Sequence, residues 1–368
     1  MSRPNNFHYS LNQKVRRTAK RIMRSVTRQS TERRLDFGSE ELKKILLVRA
    51  TFRMGDSILA TPAIAVFRRR FPNARIDFVG SPISRMLFKN LPIDHHFTIT
   101  RTFPASSWTY LALIHELRPV HYDLAIDLSC SQSAMGAFIV GFSGASFRAG
   151  LQGEWDRWFN VRILRPPEIN KYAVLPALLR SIGLENDEPL PCLTLSAAEK
   201  ERGRKRIIEL TSLDSAPTVG VFIGGRKSWG KRWPTENFSK LITALSRRRL
   251  NVVTFLGPEE TSLIGFYRDA LGCEIPMAYE PSSRNFAAMV ANCDLFVTCD
   301  SGPMHMASAL GTRMVVIFRN DNFDRWAPPP TLARIVYQPG GCSPEEVLRV
   351  CLAQLADSAT LPSALSAI

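Results

Sequence analysis

The chain lacks the long apolar segments and the familiar catalytic signatures that identify many protein classes directly. No apolar run among its 368 residues approaches the eighteen or so residues of a transmembrane helix. The basic N-terminus has no apolar segment of the signal-peptide type, so we expect a cytoplasmic protein. No G-x-G-x-x-G follows a predicted strand, which disfavours nicotinamide and flavin enzymes. No H-E-x-x-H or Ser-His-Asp arrangement is present either.

Cysteine chemistry is also scarce. The seven cysteines form no C-x-x-C pair, and no histidine stands at metal-ligand spacing from them. We therefore expect reduced thiols, with no disulfide framework and no metal site. With 45% apolar and 22% charged residues the composition is that of a globular protein, and the length predicts two domains.

Positive charge is concentrated in a basic N-terminal arm, residues 1–43. The arm holds 11 Lys and Arg against 4 Asp and Glu, a net +7 out of +15. Ser10 and Gln13 form a predicted capping box, followed by apolar residues at helical spacing, namely Leu11, Val15, Ala19, Ile22, Met23 and Val26. Two interpretations stay open, an amphipathic helix on an anionic membrane surface and a solvated, partly disordered arm. No RNA-binding aromatic motif accompanies it, so no nucleic-acid partner is expected.

From Lys44 onward short apolar runs alternate with amphipathic segments, the pattern of βαβ units. The predicted strands are 44–50, 74–80, 96–99, 122–128, 146–150, 218–224, 251–257, 294–298 and 313–318; the first-half helices lie near 56–70, 82–90, 106–118 and 131–142. Residues 184–198 are predicted to link an N-terminal domain (44–183) to a C-terminal domain (199–368). The fold class is α/β, with two doubly wound, Rossmann-like parallel sheets facing across a cleft, where ligands of such sheets bind.

The loop "GGRKSWGKRWP" after the strand at 218–224 matches most of a P-loop. Arg232 occupies the position of the Ser or Thr that would bind magnesium, and Pro234 falls where the helix should already have begun. What remains is a glycine-flexible loop that can hold a diphosphate by charge alone. Its basic residues are Arg226, Lys227, Lys231 and Arg232. For Arg226 and Lys227 a solvated turn is the favoured interpretation.

The segment "FVTCDSGPMHMASALGT" predicts a strand, a tight turn and a helix that begins at Gly302 or Pro303. The first N–H groups of such a helix lack partners and suit an anion. His305 could bond a phosphate or a sugar hydroxyl there, and Asp300 could accept from ribose or sugar hydroxyls. The candidate binding residues are Asp300, Ser301, Gly302, Met304 and His305.

After the first strand, "RATFRMGDSILATPAI" places Gly55 and Asp56 where a helix begins. The spacing alone favours Asp56 as an N-cap. The alternative is a general base at the mouth of the first domain.

Four segments together resemble bacterial glycosyltransferase family 9, the ADP-heptose:lipopolysaccharide heptosyltransferase family. They are "ILLVRATFRMGDSILATPAIAVFRRRFPNARIDFVG", "YDLAIDL", "GKRWPTENFSKLI" and "LFVTCDSGPMHMASALGTRMVVIF", and the resemblance runs from about Lys44 to Pro330. It departs from the family at Arg319–Asn320–Asp321, where a Gly-Pro-Thr-like turn is usual near the nucleotide.

The resemblance implies a GT-B fold and metal-independent, inverting sugar transfer without a cofactor. The implied donor is ADP-heptose, and the implied acceptor is a lipid-linked saccharide at the inner face of the cytoplasmic membrane. It assigns Asp56 as general base and Lys231 to the donor diphosphate, with Asp300, Ser301, Gly302 and His305 lining the donor site. Gly55, Met304, Arg226, Arg232 and Arg319 are further candidates. A nucleotide-sugar epimerase and a non-catalytic binding protein on the same fold remain alternatives.

Overall fold

The structure is a computed structural model. It describes residues 30–37, 41–100, 105–187, 189–211, 215–225, 230–271 and 275–359. The predicted helix of the basic arm and the candidate Arg226 lie outside these residues. Within the part that is described, no helix is both long and apolar enough to cross a membrane.

The chain forms two parallel six-stranded sheets. The N-terminal sheet consists of β1 Lys44–Val48, β2 Arg75–Gly80, β3 His95–Thr98, β4 Leu124–Asp127, β5 Phe147–Leu151 and β6 Val161–Ile163. The C-terminal sheet consists of β7 Thr218–Phe222, β8 Asn251–Leu256, β9 Met277–Tyr279, β10 Leu295–Cys299, β11 Met314–Phe318 and β12 Ala333–Tyr337. Their orders, β3-β2-β1-β4-β5-β6 and β12-β11-β10-β7-β8-β9, are the same doubly wound order. Two Rossmann-like domains therefore face each other, as the sequence predicts.

Helices connect the strands and cover both sheets. The helices of the N-terminal half are α1 Met54–Ile58, α2 Thr61–Arg70, α3 Pro82–Leu87, α4 Ala105–Leu117, α5 Ala134–Phe142 and α6 Lys171–Ser181. The C-terminal sheet has α7 Ala197–Leu210, α8 Thr235–Ser246, α9 Ile264–Leu271, α10 Ser283–Val290, α11 Gly302–Ala309, α12 Phe323–Trp326 and α13 Pro344–Ala359.

One apolar core runs continuously from one sheet to the other. It includes Ile45 and Leu47 of β1 as well as Phe255 of β8 and Phe296 of β10. Two smaller cores fill the outer faces, between each sheet and its own helices. Central strands are buried almost throughout, as expected for parallel sheets covered on both faces. The two halves therefore share packed side chains where they meet.

The single helix predicted near 56–70 is wrong, because two helices occupy this region. Helix α1 ends at Ile58 and α2 begins at Thr61, with Pro62 in its first turn. Proline has no N–H to continue the hydrogen bonds of α1, and the Thr61 hydroxyl donates to the Ile58 carbonyl instead (2.8 Å). Strands β6, β9 and β12 and helix α6 are additional elements that the apolar runs did not single out.

Candidate functional site

The candidate residues gather at the switch points of the two sheets. Asp56 follows β1 and the loop 128–133 follows β4, the two strands where the order of the N-terminal sheet reverses. Lys231 and Asp300 follow β7 and β10, the corresponding strands of the C-terminal sheet. Ligands of open α/β sheets bind at such points, because the connections diverge there and leave a crevice.

A cavity of about 430 Å³ lies between the two carboxyl edges, and we call it the donor cavity. Its wall from the N-terminal half is formed by α1, the residues preceding it and Ile83 of α3. The C-terminal half supplies the rest, including most of the predicted site residues. The polar and charged side chains and the glycines that line it include Arg53, Gly55, Asp56, Lys231, Glu260, Glu280, Asp300, Ser301, Gly302 and His305, and the ring of Trp326 lines it as well.

Lys231 provides a cation at the floor of the donor cavity. Its Nζ lies 2.5 Å from a carboxylate oxygen of Asp300, which is only 6% exposed. The same Nζ stands 5.7 Å from the ring centroid of Trp326, within the range of a cation–π contact. Helix α8 begins only at Thr235, with Pro234 as its N-cap residue. Lys231 therefore sits in an extended loop rather than in the helix that a P-loop requires.

The first turn of α11 also faces the donor cavity. Its N-cap residue, Ser301, makes no side-chain bond to the helix, because its hydroxyl lies 3.1 Å from the Thr298 hydroxyl. A Cβ added at Gly302 would lie 3.5 Å from the Met54 side chain, so α1 approaches this end of α11 closely. The N–H groups at this end of α11 are thus not covered by a side-chain cap, which suits an anion at an eight-residue helix.

His305 links the two halves of the molecule. Its ring lies against Gly55, where an added Cβ would come within 2.4 Å of the imidazole. Its Nδ1 is 2.7 Å from the Tyr172 hydroxyl of α6. Burial lowers the pKa of His305 to about 4, with Asp300 and Asp56 opposing the shift. The imidazole is therefore neutral near pH 7, a hydrogen-bonding group rather than a cation.

Asp56 is the third residue of α1, not its N-cap. The N-cap residue is Arg53, so the N-cap interpretation of Asp56 is wrong. Its carboxylate lies 3.3 Å from Arg49 and 3.9 Å from Arg53, and 20% of the side chain is exposed. The Arg49 Nε also donates to the Asp56 carbonyl (3.1 Å). Two guanidinium groups thus orient the carboxylate while leaving it accessible.

A second cavity of about 310 Å³ lies on the other side of Asp56, and we call it the acceptor-side cavity. The loop 128–133 and Lys171 contribute to it from the N-terminal half, and Arg325 comes from the C-terminal half. Arg53, Asp56 and Trp326 line both cavities. The Asp56 carboxylate therefore stands on a wall that the two cavities share.

The loop after β4 is anchored by Asp127. This carboxylate accepts bonds from the backbone N–H (3.1 Å) and the hydroxyl (2.6 Å) of Ser129. It lies so close to Gly136 of α5 that a Cβ there would come within 2.5 Å of it. Burial raises the pKa of Asp127 to about 6. Asp127 thus holds Ser129 in the loop that lines the acceptor-side cavity.

Sequence reasoning missed the acidic end of the donor cavity. Glu260 is buried near the N–H of Gly257 (3.2 Å), and burial raises its pKa. Glu280 lines the same region beside the apolar Phe222, Leu256 and Phe286. Both glutamates follow strands of the C-terminal sheet, β8 and β9, so the position after a strand was the available signal. Carboxylates beside apolar side chains suit the hydroxyls and base of a nucleoside.

Three predicted residues do not line the donor cavity. The Met304 side chain is fully buried in the core. The Arg232 side chain donates to the Thr235 hydroxyl (2.9 Å), and Arg319 is exposed and donates to the Arg232 carbonyl (3.0 Å). Among the described residues no group of three or more His, Cys, Asp or Glu side chains is arranged to hold a metal ion.

Comparison with known proteins places the chain in one family. Residues 110–354 match the model of glycosyltransferase family 9 (heptosyltransferase). Lipooligosaccharide heptosyltransferase 2 of Haemophilus ducreyi is 25% identical over 284 residues, 73% of this chain and 80% of that protein. Lipopolysaccharide heptosyltransferase 3 of Escherichia coli K12 is 27% identical over 290 residues, 74% and 82% of the two chains.

Solved structures support the same fold. A family 9 glycosyl transferase from Veillonella parvula superposes with a TM-score of 0.75 at 20% identity, covering 89% of this chain and all of that one. The E. coli ADP-heptose lps heptosyltransferase II gives 0.72 at 23% identity, covering 86% and 100%. Together with the family match over most of the chain, this shows that the protein belongs to glycosyltransferase family 9 and is a glycosyltransferase with the GT-B fold.

Proposed function

We propose that this glycosyltransferase moves a heptose from ADP-heptose onto the saccharide core of a lipopolysaccharide, with inversion and without a metal ion. The observation that carries the proposal is the position of Asp56 on the wall shared by the two cavities. A donor in one cavity and an acceptor hydroxyl in the other would meet at this carboxylate. The names of the relatives, lipopolysaccharide and lipooligosaccharide heptosyltransferases, support the choice of donor and acceptor.

The proposed reaction is one displacement at the anomeric carbon. Asp56 takes the proton of the acceptor hydroxyl as its oxygen bonds to the anomeric carbon. The bond from that carbon to the diphosphate oxygen breaks, and ADP leaves with the electron pair. Because the nucleophile attacks opposite the leaving group, the anomeric configuration inverts.

Charge that builds on the leaving diphosphate needs a positive environment in this proposal. Lys231 and the first N–H groups of α11 supply it from fixed positions. His305 contributes as a neutral donor or acceptor, because its pKa of about 4 leaves it uncharged at pH 7. Glu260 and Glu280 are placed to accept hydrogen bonds from ribose hydroxyls at the other end of the cavity.

The acceptor side and the cellular location belong to the same proposal. Arg49, Arg53, Lys171 and Arg325 line the acceptor-side cavity, so an anionic core saccharide suits it. We propose that the enzyme acts at the inner face of the cytoplasmic membrane, with residues 1–43 contributing electrostatic attraction to anionic lipid.

The test is release of nucleoside diphosphate, in EDTA, from a panel of nucleotide-sugars with and without truncated lipopolysaccharide. We expect release that needs both ADP-heptose and the acceptor. Asp56→Asn should lower kcat roughly 10²–10⁴-fold, the usual contribution of a general base, while ADP still binds. Asp269→Asn, on the exposed face of α9, is the matched control and should leave turnover unchanged.

Other outcomes change specific parts of the proposal. Release from a different donor would keep the mechanism and replace the sugar. Conversion of the nucleotide-sugar to an isomer without an acceptor and without release of nucleoside diphosphate would point to an epimerase instead. Full turnover in Asp56→Asn would remove that carboxylate as the base.

A further inference from the structure

The most exposed large apolar side chains are not scattered over the surface. Among the described residues, the four with the greatest exposure are Trp108 (76%), Leu164 (72%), Ile169 (69%) and Leu111 (55%). All four belong to segments that follow edge strands of the N-terminal sheet, namely α4 after β3 and the loop 164–170 after β6. They therefore lie toward the carboxyl edge of one sheet, where the acceptor-side cavity opens.

The α4 side of this group adjoins the acceptor-side cavity. Trp108 and Leu111 are three residues apart and share a face of the first turns of α4. Between them, the Tyr110 hydroxyl contacts the Met135 sulfur at 2.7 Å. Met135 is in the first turn of α5, two residues after the loop 128–133 that lines the cavity.

The other side of the group is close in sequence to a residue that lines the cavity. Leu164 directly follows β6, and Ile169 stands two residues before Lys171, which lines the cavity. Asn170 fixes this loop, because its side-chain amide donates to the carbonyls of Asp324 (3.1 Å) and Ala327 (3.0 Å). Strands β3 and β6 are the two edges of the sheet, about 24 Å apart across five strand spacings. Because the cavity is lined by residues that follow the central strands β1 and β4, we infer that its mouth lies between the two apolar pairs.

Positive charge surrounds the same edge. Arg165 is exposed between Leu164 and Ile169, Arg325 is exposed on the facing α12, and 58% of the Arg53 side chain is exposed. Tryptophan and leucine side chains with arginines around them have the chemistry of a surface that enters the headgroup region of an anionic bilayer.

We propose that this edge, with Trp108, Leu111, Leu164 and Ile169, docks onto an anionic lipid bilayer. The apolar side chains enter the interface on both sides of the acceptor-side cavity, and the arginines contact lipid phosphates. The cavity mouth then opens toward the membrane, where the saccharide of a lipid-linked acceptor would be presented. The last step rests on the proposed function, whereas bilayer binding by itself does not.

The test is co-sedimentation of the full chain with vesicles of phosphatidylethanolamine and phosphatidylglycerol in about 0.5 M salt, which screens the basic arm. The variant carries Trp108→Ser, Leu111→Ser, Leu164→Ser and Ile169→Ser together. The matched control carries Ile208→Ser, Phe266→Ser and Tyr279→Ser, exposed apolar residues of the C-terminal half. We expect the first variant to lose at least 10-fold in vesicle partitioning and the control to bind like the parent. Both should keep activity on a soluble truncated acceptor.

A single substitution, Trp108→Phe, provides a second test in case the four-residue variant does not fold. Brominated lipids should quench part of the tryptophan fluorescence of the parent, and Trp108→Phe should abolish that part. Equal vesicle binding by variant and control, or no quenching through Trp108, would overturn the proposal. So would a parent dimer that the four-residue variant converts to monomer, because a second copy would then cover this edge. Vesicle binding without any sugar transfer would leave the surface intact and reject the proposed function instead.

Discussion

At the scale of single residues, the pair formed by Lys231 and Asp300 makes a sharp prediction about the donor. Lys231→Ala removes a cation from the cavity and leaves the buried Asp300 carboxylate without this partner. The unpaired carboxylate then repels a diphosphate, so the loss should exceed that of one contact. We expect ADP affinity, measured by calorimetry, to fall by more than the roughly 10–100-fold that one charge-assisted hydrogen bond contributes.

A second substitution separates the two causes. Adding Asp300→Asn to Lys231→Ala removes the repulsion and should recover part of the ADP affinity. Lys240→Ala, an exposed lysine of α8, is the control and should bind ADP like the parent. An unchanged affinity in Lys231→Ala would exclude this lysine from the diphosphate site.

The contact between Gly55 and His305 predicts that spacing around the base is tight. In Gly55→Ala the new methyl would lie 2.4 Å from the imidazole, so α1 and α11 must move apart. Asp56 moves with α1, and misplacement by about 1 Å can cost on the order of 10²-fold in rate. We expect kcat to fall by about that factor in steady-state assays. Gly265→Ala is the control and should be neutral, because an added Cβ there meets open space. A fully active Gly55→Ala would show that the His305 ring can move aside without displacing Asp56.

The site residues that could be identified from the sequence are those that stand directly after a predicted strand, because the carboxyl ends of parallel strands meet at one edge of the sheet. Lys231, Asp300 and His305 follow strand ends, and the structure places them in one cavity with Asp56. The contact of His305 with Tyr172 was out of reach, because it joins residues 133 positions apart on different domains. Met304 was predicted as a binding residue because its backbone N–H lies in the first turn of α11. Its side chain, however, is buried in the core.

At the scale of elements, strands buried on both faces were predictable, whereas of the four edge strands only β3 was predicted. Strands β1, β7, β8, β10 and β11 are continuous apolar runs, so they stand out in the sequence. Strands β6 and β9 have three residues each and partly exposed side chains, which leaves no run to detect. The break between α1 and α2 had a visible cause in Pro62, which fits the first turn of a new helix as well as it ends the old one.

Strand β4 ends in Asp127, whose burial predicts a pH effect on stability. Its folded-state pKa of about 6 exceeds the unfolded value of 3.8, so its stabilising contribution is present below pH 4 and is lost as the pH rises through 6. Asp127→Asn keeps the acceptor for Ser129 and removes the charge. We expect the variant to gain up to about 3 kcal/mol over the parent as the pH rises from about 3 to about 7, measured by urea unfolding. Asp269→Asn is the exposed control, and a pH-independent difference for Asp127→Asn would contradict the expected ionisation.

At the scale of the whole molecule, one buried ion pair joins the linker and both sheets. Arg284 of α10 binds both carboxylate oxygens of Glu199 on α7 at 2.6 Å. The same guanidinium donates to the carbonyls of Leu87 and Thr194 (both 2.8 Å), and Asn90 donates to Glu199 (3.0 Å). The pair therefore connects α3 of the N-terminal half to the linker and to two helices of the C-terminal half. Phe286 of α10 and Ile83 of α3 line the donor cavity nearby.

This junction yields the prediction with the largest expected effect on stability. The Arg284 guanidinium lowers the pKa of Glu199 to about 2, so the pair stabilises the fold above pH 4.5 and is lost only as the pH falls through 2. Glu199→Gln at pH 7 leaves Arg284 buried without its counter-charge and should cost about 3–5 kcal/mol in urea unfolding. Glu201→Gln breaks the exposed pair with Arg204 on the same helix, and because solvent screens that pair the substitution should cost far less than Glu199→Gln. Combining Glu199→Gln with Arg284→Met should recover part of the loss, since the stranded charge is then gone. Equal costs for Glu199→Gln and Glu201→Gln would mean that the buried pair contributes no more to stability than an exposed one.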